Sequence, residues 1–139
     1  MRINKYRIFD KIYKEYCEEP DFRWTLSREG NLYNSENDEW HEPNTRYIIE
    51  YFTGLTDRNG KEICEGDIIN SGVGEILWSE LDCMFKVKWH GEIFKRVRGA
   101  NDRYTLNGEP LFMNAHIAWE VIGNIHENTE LLSTPTAVL

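Results

Sequence analysis

The sequence predicts a mainly β fold: a small SH3-like barrel or β-sandwich formed by the C-terminal part, with an N-terminal β-rich arm. Three observations carry this. Short runs rich in β-branched and aromatic residues recur along the chain, separated by Gly, Asn and Asp turn signals. No long segment repeats its apolar residues with the 3.6-residue helical period. Five Trp, seven Tyr and six Phe in 139 residues supply side chains that suit pleated, half-buried surfaces.

Taken in order, residues 3–9 read as a first strand, and residues 10–19 as a charged turn or short helix. Residues 22–26 and 32–33 flank Ser27-Arg28-Glu29-Gly30-Asn31, which reads as a hairpin turn. Residues 34–44 are polar, with Glu36, Asp38, Glu39 and Glu42 around a solitary Trp40. They are expected to form a loop or mobile arm, since they bring little apolar material to bury. Residues 46–53 form a strong strand. Tyr47, Ile49 and Tyr51 alternate with Ile48, Glu50 and Phe52, so both faces carry bulk and the strand should be central.

The second half is more regular. Asn59-Gly60 is the signal of a two-residue hairpin turn with positive φ at both positions. Glu65-Gly66-Asp67 reads as a corner, followed by strands at 67–70 and 74–78. Residues 84–90 show the clearest alternation: Phe85, Val87 and Trp89 against Lys86, Lys88 and His90. Residues 93–98 return with Arg96 and Arg98 on one face, 100–114 make a long connection, and 117–125 form a last strand with Gly123 as a bulge. Trp24, Trp78, Trp89 and Trp119 lie in strand-like runs and are expected in the core. The whole reads as one domain: an arm over 1–45, a barrel core over 46–132 and a frayed tail over 133–139.

The segment Thr53-Gly54-Leu55-Thr56-Asp57-Arg58-Asn59-Gly60-Lys61-Glu62-Ile63-Cys64-Glu65-Gly66-Asp67-Ile68 resembles the core of the YopX family. Two further pieces agree. Residues 3–11 are similar to that family's opening strand, a basic-aromatic run ending in Asp10-Lys11. Residues 120–132 are similar to its closing segment. Ile8-Phe9 departs from the usual small residue followed by Trp, and Cys64 stands where an aromatic is common. The resemblance implies a phage or prophage origin, a β-rich fold and a homo-oligomer. It implies no enzyme and no residue roles, because the family has no established activity.

Charge supplies the remaining functional content. The net charge is −8, yet residues 84–104 carry a local balance of +4, leaving −12 for the rest. Lys86, Lys88, Lys95, Arg96 and Arg98, with Trp89 among them, form a candidate nucleic-acid or anion surface. The opposing reading is a solvated hairpin face, or one that meets the acidic arm of a neighbouring subunit. A nucleic-acid module is usually basic as a whole, and this chain has a sequence pI near 5.0. Trp40 is a candidate anchor for a subunit contact.

Catalytic patterns are missing. His41, His90, His116 and His126 are scattered. Asp57, Glu62, Glu65 and Asp67 lack the ligand spacing of a calcium loop. Asp57 and Asp67 are better placed as turn-forming residues beside Asn59, Gly60 and Gly66. Cys17, Cys64 and Cys83 have no paired spacing for zinc and read as reduced thiols. No cofactor or metal is expected. No apolar run approaches the ~20 residues needed to span a bilayer. The expectation is a non-enzymatic, self-assembling phage accessory protein in the host cytoplasm that binds a host or phage protein. The alternative is a nucleic-acid-binding module using residues 84–98.

Overall fold

The computed structural model describes residues 5–17, 24–70, 73–90, 109–110 (backbone only) and 119–133. The chain divides into two compact units, Met1–Tyr51 and Phe52–Leu139. The mainly β class holds in both, and the sheets are antiparallel.

In the first unit, β1 (Tyr6–Asp10) pairs with β2 (Glu15–Tyr16) and with the first half of β6 (Tyr47–Thr56). The expected charged turn lies between β1 and β2; no helix forms there, and Lys14 takes a positive φ of 56° to close the hairpin. A three-stranded meander follows: β3 (Trp24–Leu26), β4 (Leu32–Asn34) and β5 (Glu39–His41). Ile8, Leu32 and Tyr47 form the buried core, with Trp24, Leu26 and Ile49 packed around them. Trp24 meets Tyr47 edge-on at 4.7 Å.

In the second unit, the remainder of β6 pairs with β7 (Glu62–Cys64), and the register shifts between Phe52 and Thr56. Gly54 lies in that interval with φ +92°, so the Thr53-Gly54-Leu55 motif forms a bulge. Strands β8 (Asp67–Ile69), β9 (Val73–Ser79), β10 (Met84–His90), β11 (Glu109–Pro110) and β12 (Val121–Asn124) make a sheet in the order β11-β10-β9-β8-β12. The predicted bulge is present: pairing shifts between Val121 and Gly123. β11 falls inside the stretch expected to be only a connection. A short helix, α1 (Thr129–Ser133), follows the last strand. Ile63, Ile69, Ile76, Val87, Trp89 and Trp119 form the core.

Trp78 does not join that core and is 43% exposed. It shares its face with Ile76, but sits one rung further along the hairpin, paired with Phe85 rather than with Val87.

Candidate functional site

The predicted turn residues come together, in a form the dipeptide signal did not anticipate. Asn59 does not have positive φ; only Gly60 does, at 81°. The loop is therefore longer than two residues. The Gly60 amide donates to the Asp57 carbonyl at 3.0 Å, and the Asp57 amide to the Lys61 carbonyl at 2.8 Å. Asp57 decides this geometry. Its Oδ1 accepts the amides of Asn59 and Lys61, both at 2.9 Å, which favours an Asp-led turn over the mirror-image type.

Its Oδ2 accepts the Val121 amide of β12 at 2.9 Å, a partner 64 residues away. Burial pushes the Asp57 carboxyl up, but those three amides outweigh it and hold the group below its ordinary value. Arg58 and Asn59 extend the same junction by donating to Glu120 at 2.5 and 3.2 Å. Asp67 serves the second corner, where its Oδ2 accepts the Cys64 amide at 2.8 Å. Gly66 has φ +83° and donates its amide to the Ile76 carbonyl at 2.8 Å. These carboxylates brace the backbone.

Trp40 is not on a mobile arm. Residues 34–44 build the β4–β5 hairpin, closed by a turn in which Asp38 has φ 55°. The Tyr33 hydroxyl donates to Asp38 at 2.5 Å and fixes that turn. Tyr33 and Trp40 are direct cross-strand partners with ring centroids 5.0 Å apart. This pair supplies the packing that the acidic sequence seemed to lack. Alternation sends His41 inward, where it meets Tyr47 at 4.9 Å, and leaves Trp40 outward and 62% exposed.

The basic stripe is only partly a surface. Lys95, Arg96 and Arg98 lie outside the described residues. Lys88 is exposed, as expected. Lys86 is not: it is 4% exposed, and its ammonium is paired with Asp82. Lys86 lies on an interior strand, with Leu77 opposite on β9 and the β11 backbone paired on its other side. Trp89 is 7% exposed, its ring about 2.8 Å from where a Cβ on Gly74 would sit, and so is no stacking platform.

Sequence reasoning missed two guanidinium sites in the first unit. Arg7 Nε donates to Glu50 at 2.9 Å, and its guanidinium lies 4.5 Å from the Tyr16 ring centroid. The Tyr16 hydroxyl also donates to Glu50, at 2.7 Å. Arg46 grips Asp10 through two bonds of 3.2 and 2.9 Å, between the rings of Tyr13 and Tyr47. Asp10 also accepts the Ile12 amide at 2.9 Å. Burial raises the Asp10 carboxyl, but Arg46 and the amides of Ile12 and Tyr13 outweigh this and lower it. Beside Asp10 and Arg46 opens a cleft of about 410 Å³. Only the strand alternation around Tyr47 hinted at these residues, because the contributors run from residue 10 to residue 47.

The family profile described as YopX protein matches residues 5–133. The crystal structure of protein EF1440 from Enterococcus faecalis is similar to this chain, with a TM-score of 0.54 and 26% identity, covering 95% of this chain and 99% of that one. No curated protein matches the chain.

Proposed function

We propose that this chain, which belongs to the YopX family, is a non-enzymatic phage or prophage accessory protein that works in the host cytoplasm by docking protein surfaces, first a second copy of itself. The observation that carries this reading is Trp40, 62% exposed and packed against the Tyr33 ring on the solvent side of the meander. A large exposed aromatic held rigid by its neighbour is the kind of residue that anchors an interface. Charge favours a second copy as the occupant. Glu36, Asp38, Glu39 and Glu42 surround Trp40 in sequence, and residues 84–104 of another copy, leaving aside the buried and paired Lys86, carry a sequence balance of +3. The turn carboxylates support a structural role, because both oxygens of Asp57 are engaged by backbone amides.

Light scattering of the wild-type protein and of Trp40→Arg tests this. The wild type is expected to exceed the 16.5 kDa of one chain and to dissociate with rising salt. Trp40→Arg is expected to run as one chain with an unchanged circular dichroism spectrum. A variant that keeps the wild-type mass would sink the reading.

The second reading, nucleic-acid binding by residues 84–98, draws on Lys88 and the local positive balance. It is weakened by the burial of Lys86 and Trp89. Saturable, salt-sensitive binding of labelled single-stranded DNA would promote it.

A further inference from the structure

We infer that Asn59 is a site of spontaneous, backbone-assisted conversion to aspartate and isoaspartate, held back in the folded protein by Glu120. The co-reactant is water. The site is independent of Trp40 and of self-assembly.

The chemistry is carried by two neighbouring residues. The Gly60 amide nitrogen loses its proton and attacks Asn59 Cγ, forming a C–N bond that closes a succinimide ring. The Cγ–Nδ2 bond breaks, and Nδ2 leaves as ammonia with the proton given up by Gly60. Water then opens the ring at either carbonyl. One opening leaves aspartate. The other leaves isoaspartate, in which the chain runs through the side chain of residue 59 and is longer by a methylene. The sum is an amide and a water giving a carboxyl and an ammonia.

The turn presents this pair to solvent. Asn59 and Gly60 are both exposed. Gly60 has no side chain to shield its nitrogen, and the position a Cβ would take meets nothing within 4 Å.

The hydrogen bonds of the turn oppose the reaction. The attacking nitrogen donates its proton to the Asp57 carbonyl at 3.0 Å, and that bond must break before the proton leaves. The leaving nitrogen, Nδ2, donates to Glu120 Oε1 at 3.2 Å. It must gain a proton to depart, and a carboxylate that accepts from it supplies none. The Asn59 amide donates to Asp57 Oδ1 at 2.9 Å and fixes the backbone from which the side chain projects. Glu120 is itself anchored. Its Oε2 accepts from Arg58, and its backbone amide and carbonyl pair with the Asn70 side chain and amide at 2.9 and 3.0 Å. Conversion therefore proceeds from locally opened forms of the loop.

The product undoes the hold. A carboxylate at residue 59 cannot donate to Glu120. The added methylene of isoaspartate displaces the Lys61 amide from Asp57 Oδ1, and with it the turn that aims Oδ2 at the Val121 amide.

The test is peptide mapping by mass spectrometry, which reads the exchange of ammonia for water at residue 59, on the full chain aged in mildly alkaline buffer with and without urea. The unfolded chain is expected to convert Asn59 about tenfold faster than the folded one, or more, since two hydrogen bonds no longer restrain it. In urea the rate should match that of Asn107 in the second Asn-Gly pair, Asn107-Gly108. Folded Glu120→Ala should convert about two- to fivefold faster than the folded wild type, the range for loss of an exposed charged contact. Its backbone bonds to Asn70 survive the substitution, so the fold should too, and circular dichroism checks this. Glu120→Gln keeps an acceptor and should stay near the wild-type rate. The isolated isoaspartate form should exchange its Val121 amide faster than the unconverted protein. Equal rates in the folded and unfolded chain, a Glu120→Ala rate no higher than wild type, a Glu120→Gln rate equal to that of Glu120→Ala, no conversion at residue 59 in urea, or unchanged exchange at Val121 would each overturn the assignment.

Discussion

The turns at Ser27–Asn31 and Asp57–Lys61 share a backbone plan and differ in the side chain that leads them. In each, the first amide donates to the fifth carbonyl at 2.8 Å, and the fourth residue, a glycine, donates back to the first carbonyl at 3.1 and 3.0 Å. Gly30 has φ +90° and Gly60 φ +81°. In each, the fifth amide donates to the leading side chain: to the Ser27 hydroxyl at 3.0 Å, or to Asp57 Oδ1 at 2.9 Å. A hydroxyl closes its own turn. A carboxylate closes its turn with one oxygen and holds the Val121 amide of a distant strand with the other. The difference turns a local device into a tertiary one.

The strongest way to break this comparison is to truncate both leaders. Asp57→Ala removes the acceptor of three backbone amides at a site only 2% exposed. It should cost about 3 kcal/mol, since each charge-assisted bond contributes more than a neutral one and the orphaned donors stay desolvated. Ser27→Ala loses one neutral bond and should cost about 1 kcal/mol or less. Urea unfolding measures both, and amide exchange at Val121 should accelerate in Asp57→Ala alone. Equal costs would mean that the bond to Val121 adds nothing.

This contrast also marks where the sequence stops being legible. Asp57-Arg58-Asn59-Gly60 announces a turn because its chemistry is local. Val121 is 64 residues away, and no spacing rule connects the two. The strand at 84–90 was legible because alternation is a property of the strand itself. The burial of Lys86 was not, since it depends on the pairing of β10 with both β9 and β11 and on an ammonium partner, Asp82, in the preceding turn. β5 was hidden for the same reason. Glu39-Trp40-His41 looks like solvated chain until Tyr33 and Leu32 are set opposite it. The cleft drew no signal beyond the alternation around Tyr47, since no motif contains residues as distant as Asp10, Glu36 and Arg46.

Acid sharpens the comparison next. The Asp57 carboxyl lies below its ordinary value of 3.8 in the folded protein. The unfolded chain therefore takes up its proton first as pH falls. The stability from Asp57 is present in full above about pH 5 and disappears as pH drops through 3.8 toward the folded value. Asp10 is lowered as well and contributes with the same sign in the first unit. Asp57→Asn keeps an acceptor for the turn but takes up no proton in this range. Its unfolding free energy should fall less steeply than that of the wild type between about pH 5 and 2. Ser27→Ala should follow the wild-type slope, because a hydroxyl does not titrate in that range. Parallel curves for Asp57→Asn and the wild type would contradict the assignment of this acid sensitivity to Asp57.

The smallest expected effect isolates the shared backbone from the leading side chain. Gly30 and Gly60 occupy the same left-handed position, so alanine at either site carries the same conformational cost of about 1 kcal/mol. Their surroundings differ. A Cβ on Gly60 would meet nothing within 4 Å, whereas one on Gly30 would touch the Pro43 ring at 3.4 Å. That distance is ordinary contact at its short end, so it adds a few tenths of a kcal/mol at most. Gly30→Ala and Gly60→Ala should therefore be destabilised almost equally, with Gly30→Ala no more stable than Gly60→Ala by urea unfolding. If Gly60→Ala proved much the worse, the Asp57 turn would differ from the Ser27 turn in its backbone as well. The advantage of the carboxylate could not then be assigned to its second oxygen.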